Sequence, residues 1–236
     1  MIHVDLIAYT PEPAWVIEQA ASVCYNSTPS RECKLPWLCY SSGHTSVLEH
    51  ASFTFKVSGI SRACSHQLVR HRMASFSQRS QRYVDEDGFD YIEPSTASDT
   101  SQFSHQQYES AMRQAKHFYQ SIKQAIPQED ARYVLPNACC TVLCVTMNLR
   151  SLINFMNERL CSRAQWEIRC VAQQMRRLVS AVMPQAENML VPKCEKNAQF
   201  PFCPERSSCG RHKKLSEVYR SDIAKSGERR REDKVV

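Results

Sequence analysis

Five glycines in 236 residues, no two of them close together, constrain this chain more than any other feature. The G-x-G-x-x-G turn of dinucleotide-binding sheets and the glycine-rich P-loop both need clustered glycines, so the backbone can approach a phosphate. Both are absent, and with them doubly wound nucleotide binding of those kinds. If the chain holds phosphates, side chains and helix ends must do it. G-x-S-x-G, H-E-x-x-H and C-x-x-C are missing as well.

Hydrophobic periodicity gives the rest of the outline. Residues 2–9 read as a strand, and residues 13–24 as a helix with proline tolerated at its start. A short helix over residues 31–40 stops before Gly43. In HTSVLEH, Ser46 precedes Glu49 by three, the spacing of a reciprocal capping box. ASFTFKVSG alternates strictly, Phe53, Phe55 and Val57 on one face and Ser52, Thr54 and Lys56 on the other. A helix is expected over 60–72, with His71 and Arg72 in its last turn. Residues 74–90 should be irregular or short strand, and 95–101 a polar loop. Tyr108, Met112, Ala115, Tyr119, Ile122 and Ile126 mark a long amphipathic helix. Pro127 and Pro136 bracket a short helical piece with Arg132. CTVLCVTM reads as a buried strand. Helices follow over 149–159 and 164–183, the latter with Ile168, Val171, Met175, Leu178 and Val182 inward. The fold class is α+β, a small antiparallel or mixed sheet with long amphipathic helices.

No run of eighteen apolar residues occurs, so no membrane partner is expected, and nothing reads as a signal peptide. Cys64, Cys139, Cys140, Cys144, Cys161 and Cys170, half of the twelve cysteines, fall in segments that read as helix or strand interiors. They point to reduced, buried thiols in a cytoplasmic protein. The net charge of +6 is uneven. Residues 204–236 hold ten Lys/Arg against six Asp/Glu, which leaves the first 203 residues at +2. A basic site in the body must therefore be local.

Such a site stands out in QLVRHRMASFSQRSQRY, residues 67–83, with four arginines, a histidine and no carboxylate. Cations at a helix end help its dipole, which could explain Arg70, His71 and Arg72. It does not explain Ser80, Gln81, Arg82 and Tyr83 beyond the helix, or the absence of acids to pair the arginines. Guanidinium forks with neighbouring hydroxyls are what recognition of a phosphate requires.

RHRMASFSQRS is Arg-His-Arg, seven residues, then serine, and it resembles the signature of flavin-dependent thymidylate synthases. GHTSVLEH and FTFKVSG precede it, and EDARYVLP, TMNLRSLINF and NERLCSRAQWEIR follow in suitable order. The resemblance covers residues 1–190, which it marks as the enzyme domain, with residues 191–236 a cysteine-containing extension and a basic, disordered tail. It implies methylation of dUMP to dTMP, with 5,10-methylenetetrahydrofolate as carbon donor and NADPH-reduced FAD as hydride source. It also implies a homotetramer with active sites at subunit interfaces. Carried onto this sequence, Gln67, Arg70, Gln78, Ser80, Gln81 and Arg82 would face dUMP, with Ser80 and Arg82 on its phosphate and Arg132 reaching in from another subunit. Arg159 would stabilise the uracil ionised at N3 and so make C5 more nucleophilic. His44, Ser46, Arg70, His71, Arg72, Gln78, Asn148, Arg150 and Asn154 would contact FAD. One departure is Ser77-Gln78, where the family commonly has Asn-Glu; the loop loses a charge and any role that needs a carboxylate there.

Other residues have plainer readings. Cys161 reads as a small buried hydrophobe, and Trp166 and Ile168 as core. Gln165 reads as a support residue rather than a ligand. His50 reads as a structural hydrogen-bonder and His66 as solvent-facing. Glu129 is placed to pair with Arg132 along a helix. Cys194, Cys203, Cys209 and His212 form C-x8-C-x5-C-x2-H, close to the spacing of CCCH zinc fingers, against the reading of a merely cysteine-rich loop. An alternative function, nucleic-acid binding through the arginines, this segment and the tail, needs a long basic face that the near-neutral body lacks.

Overall fold

The structure, a computed structural model, describes residues 1–218. Strands β1 (His3–Tyr9), β2 (Ser52–Ser61), β3 (Ala74–Gln78) and β4 (Cys140–Asn148) form one sheet of order β1-β2-β4-β3, antiparallel at every pairing. Helices α1 (Pro13–Tyr25), α2 (Leu35–Ser41), α3 (Arg62–Leu68), α4 (Ser95–Thr100), α5 (Gln102–Ile122) and α6 (Gln128–Ala131) fill the connections. Helices α7 (Leu149–Arg159) and α8 (Trp166–Val182) follow β4. The architecture is α+β with a small sheet, as the sequence implies.

The alternation in β2 and β4 explains the core. Register pairs Phe53 with Met147, Phe55 with Val145 and Val57 with Leu143, and all six side chains are buried. Each fully buried side chain of this size contributes about 1.5–3 kcal/mol of transfer free energy. Ile17 of α1, Leu152 and Phe155 of α7, and Ile168, Val171 and Met175 of α8 belong to the same cluster. On the opposite face the Thr54 and Thr146 hydroxyls hydrogen-bond at 2.9 Å.

The structure corrects several expectations. The helix expected over 60–72 is shorter, because Ile60 and Ser61 stay in β2, paired with Thr141 and Cys140. The Ser61 hydroxyl instead caps α3 by accepting the Cys64 N–H at 3.0 Å. At the other end α3 stops at Leu68, and Met73 at φ 66° makes the left-handed reversal into β3. His71 and Arg72 therefore lie in the turn, not in a helix. HTSVLEH forms a 3-10 helix, Thr45–His50, without a side-chain cap, because Glu49 pairs with Arg150. The polar segment 95–101 is helical, as α4. Ile126 lies beyond the end of α5 and is exposed. Trp166 is 38% exposed at the start of α8, while Ile168 is fully buried. The Gln165 side chain caps α8, accepting the N–H groups of Glu167 and Ile168. Residues 211–218, expected to belong to the tail, are engaged: the Cys203 N–H donates to the Lys213 carbonyl at 2.8 Å, and Cys203 bridges Lys214. The rest of the expected tail lies outside the described residues.

Candidate functional site

The turn from α3 to β3 brings the arginine stretch across the edge of the sheet. Arg70 and Arg72 are exposed, and among the described residues neither forms an ion pair. The other two arginines of the stretch are paired by acids from outside it, contrary to the sequence expectation. Arg79 donates to Glu86 at 2.9 Å and to the Cys140 carbonyl at 2.8 Å. Arg82 Nε lies 2.5 Å from the Glu129 carboxylate.

Glu129 does more than that. Its backbone carbonyl accepts from Arg132 Nε at 2.9 Å, so one residue connects Arg82 to the turn that carries Arg132. The expected Glu129–Arg132 ion pair is thus replaced by a carbonyl contact, and the carboxylate turns to Arg82. Arg82 spends Nε on this pair, which leaves its two terminal nitrogens as a fork. The Ser80 hydroxyl accepts the Arg82 N–H at 3.1 Å and shapes the loop around that fork. Gln81 reaches Cys139 Sγ at 3.9 Å. Gln78 lies in β3 on the core face, and its amide donates to Ser65 Oγ at 2.9 Å and Thr141 Oγ1 at 3.3 Å. It ties the strand to α3 and β4. Gln67 is half-buried on α3.

His71 sits deeper. Its Nε2 lies 3.0 Å from both the carbonyl and the hydroxyl of Ser151, and its ring meets Phe155 edge-on at 5.4 Å. A carbonyl can only accept, so Nε2 carries the proton and Nδ1 remains an acceptor. Burial holds its pKa below the usual 6.5, with the field of Arg159 acting the same way and the Ser151 carbonyl opposing. Arg159 is half-buried in the last turn of α7, and its field also acts on Cys64. Burial pushes the Cys64 and Cys139 thiols up to about 12, so both stay protonated at neutral pH. Neither is an activated nucleophile.

The start of α7 supplies the remaining candidates. Asn148 caps it, accepting the Ser151 N–H at 2.8 Å. Arg150 donates to Glu49 at 2.6 Å, and this links α7 to the segment of His44 and Ser46, both exposed. Arg150 and Asn154 line a cleft of about 780 Å³, together with Trp37, Gly43, Thr45 and Phe200. A second cleft of about 570 Å³ holds none of the predicted residues; Asp85, Glu86, Asp87 and Asp90 line it against Arg79 and Lys116, so its lining is net acidic.

Sequence reading overlooked the clamp that fixes this site. Glu167, buried at the start of α8, accepts the Ser61 N–H and the Ser61 hydroxyl, both at 2.8 Å, and the Gln165 amide at 3.1 Å. Ser61 in turn caps α3, the element from which the arginine turn departs. A carboxylate directly after tryptophan in AQWEIR was the only available signal.

The structure thus offers side-chain donors for an anion in the Ser80–Arg82 loop, a histidine held by Ser151 in the field of Arg159, and, lined by Arg150 and Asn154, a cleft large enough for a flat cofactor. Comparisons with known proteins agree. The sequence model of the "Thymidylate synthase complementing protein" family, Thy1, matches residues 5–185. A flavin-dependent thymidylate synthase of Geobacter sulfurreducens is 43% identical over 233 residues, 93% of this chain and 98% of that protein. That of Nitratidesulfovibrio vulgaris is 40% identical over 89% of this chain and 95% of its own length. That of Pyrococcus furiosus is 40% identical over 87% and 91% respectively. The chain belongs to the flavin-dependent thymidylate synthase family. The nucleic-acid-binding alternative has no counterpart in these relatives.

Proposed function

We propose that this protein converts dUMP to dTMP, using 5,10-methylenetetrahydrofolate as one-carbon donor and NADPH as the source of reducing equivalents through bound FAD. The observation that carries the assignment is the match of residues 5–185 to the family model and of most of the chain to flavin-dependent thymidylate synthases; the contact of His71 with Ser151 at the start of α7 and the tie of Arg82 and Arg132 through Glu129 support it. The residues suit FAD: Arg70 and Arg72 offer guanidiniums without acid partners, and Arg150 and Asn154 line a cleft beside the His44–Ser46 segment. His44, Ser46, Arg70, His71, Arg72, Gln78, Asn148, Arg150 and Asn154 would hold it. When bound, the flavin supplies the hydride that completes the methyl group.

This chain's own residues do the rest. The Arg82 fork and the Ser80 hydroxyl take the nucleotide phosphate, with Gln67, Arg70, Gln78 and Gln81 around it and Arg132 reaching in from another subunit; Glu129 holds the Arg82 guanidinium in place before substrate arrives. Arg159, permanently cationic, favours the pyrimidine deprotonated at N3 and so raises electron density at C5, the atom that receives the one-carbon unit. His71, neutral and fixed by Ser151, can accept a hydrogen bond at Nδ1 but does not add a second positive charge. The side chains on exposed surfaces, Arg70, Arg72, His44 and Ser46, suit completion of the site by neighbouring subunits, as in a homotetramer. No helix among the described residues is long and apolar enough to cross a membrane, and we place the protein in the cytoplasm.

The test is an anaerobic absorbance spectrum of the purified protein. Flavin bands that bleach on addition of NADPH with dUMP support the assignment. A protein that stays colourless after incubation with excess FAD contradicts it.

A further inference from the structure

The segment beyond the family's matched region packs on the loop after α7, and together they carry a second constellation that catalysis does not use. Cys161, Cys194, Cys203, Cys209 and His212 all line one small cavity. Its volume, about 10 Å³, is that of a single water-sized sphere. Cys194 and Cys203 are buried, in a stretch with little other core. His212 and Cys194 present their donor atoms within 4.8 Å of each other and of the Glu195 carboxylate; Cys203 and the exposed Cys209 line the same cavity outside that group and would move inward to bind an ion. His212 Nε2 is shut off from solvent and makes no hydrogen bond, facing only the Glu195 carboxylate at 3.5 Å, which leaves the ring nitrogen for a further partner to complete.

The backbone explains how sequence-distant donors converge. Cys203 pairs with Lys213 and Lys214, which folds residues 203–214 back on themselves and puts His212 beside the cysteines. Lys193 bonds Glu205 and Glu158, and Arg163 faces Glu205, so the loop is fastened beside the end of α7. Gly210 takes φ +93° at the turn between Cys209 and His212, where a side chain would be strained.

We propose that this cavity is a structural metal site for one zinc ion, bound by the thiolates of Cys194, Cys203 and Cys209 and by His212 Nε2. Three sulfurs and an imidazole are the donor set that zinc takes in closed tetrahedral sites, and no water position is needed. Glu195 stands 3.5 Å from both Arg211 and His212 Nε2, and it would keep Arg211 as its partner when the ion takes the imidazole. Cys161 forms the wall contributed by the loop after α7, two residues beyond Arg159. Lys193 and Cys194 also line the 780 Å³ cleft, so the ion would brace one wall of the proposed flavin site. Each cysteine gives up its thiol proton on binding, and the histidine binds as the neutral base, so occupancy falls as pH drops.

The test uses the full chain, purified under reducing conditions. Elemental analysis should give about one zinc per chain. After removal of the metal by a chelator, cobalt(II) should restore a site with thiolate charge-transfer bands and the intense visible bands of tetrahedral coordination. Cys203→Ser and His212→Ala should each reduce zinc content at least tenfold, whereas Cys139→Ser, a buried cysteine outside the cavity, and Cys161→Ser should retain it. Should a variant prove insoluble, the cobalt spectrum of the wild-type chain still decides the matter. Wild-type protein without zinc and without a cobalt spectrum overturns the proposal, as does a disulfide between any two of the assigned cysteines in the reduced preparation. Loss of zinc in Cys161→Ser overturns the assigned ligand set. All these readouts are independent of thymidylate formation.

Discussion

Replacing Glu167 by alanine should loosen the site from a distance. The carboxylate is buried and takes three hydrogen bonds, two of them from Ser61 at 2.8 Å. A hydrogen bond to a charged group is worth roughly 1.5–3 kcal/mol, and orphaning a buried donor costs about 1–3 kcal/mol. The alanine variant leaves the Ser61 N–H, itself buried, without an acceptor. A loss of about 3–5 kcal/mol follows, in the range seen when one partner of a buried charged network is removed. Glu167→Gln keeps one acceptor oxygen but turns an amide donor toward a donor, so about half of that loss is expected. Urea unfolding monitored by circular dichroism measures both values. Ser61→Ala completes a double-mutant cycle, whose coupling should exceed roughly 1 kcal/mol because the two side chains share one network. A second readout is specific to the site: α3 is capped by Ser61, so Glu167→Ala should weaken flavin retention even at temperatures where it remains folded. An alanine variant within about 1 kcal/mol of the wild type, with no coupling to Ser61, would refute the reasoning.

His71 gives a pH signature. Burial depresses its folded pKa below the unfolded value of 6.5, so the unfolded chain binds the proton more readily. Its effect on stability is absent above about pH 6.5 and grows as pH falls toward the folded pKa, so stability drops with acidity in that window. His71→Gln should flatten this part of a stability–pH profile. Gly59 stands at the β2 bulge with φ +66°, where a Cβ would lie 2.3 Å from the Met1 carbonyl oxygen. Gly59→Ala should cost at least about 1–2 kcal/mol from the left-handed backbone alone, measured as a lower midpoint in urea. Glu129→Gln should raise the KM for dUMP several-fold with a smaller change in kcat, because it frees Arg82 from the position that the pair with Glu129 holds; steady-state kinetics would show the split.

How much could be read from the chain depended on whether a signal was local. The alternation of Phe53, Phe55 and Val57 and the apolar run from Thr141 to Met147 located the two central strands, since period-two burial leaves its mark on neighbouring residues. Helix α7 was legible to the residue, but not that Asn148 caps it, since the resemblance pointed to that side chain only as a flavin contact. Ser46 and Glu49 misled because the capping-box spacing says nothing about Arg150, 101 residues away from Glu49, which claims the carboxylate. The α3 boundary was misplaced because strand pairing with β4 held Ile60 and Ser61 extended against local preference. The same non-local physics hid the acids of the arginine loop. Glu86 and Glu129 lie outside the segment, and Glu167 meets Ser61 across 106 residues. The candidate nucleotide residues could be named only because a family pattern had already tied them together; composition alone left them as a basic turn.

The most direct test is product formation. Purified protein, incubated anaerobically with dUMP, 5,10-methylenetetrahydrofolate, FAD and NADPH, should yield dTMP on chromatography. Arg159→Ala should reduce kcat/KM by at least about a hundredfold, the scale of losing one preorganised electrostatic group. Absence of dTMP from a folded, flavin-loaded wild-type protein would contradict the account.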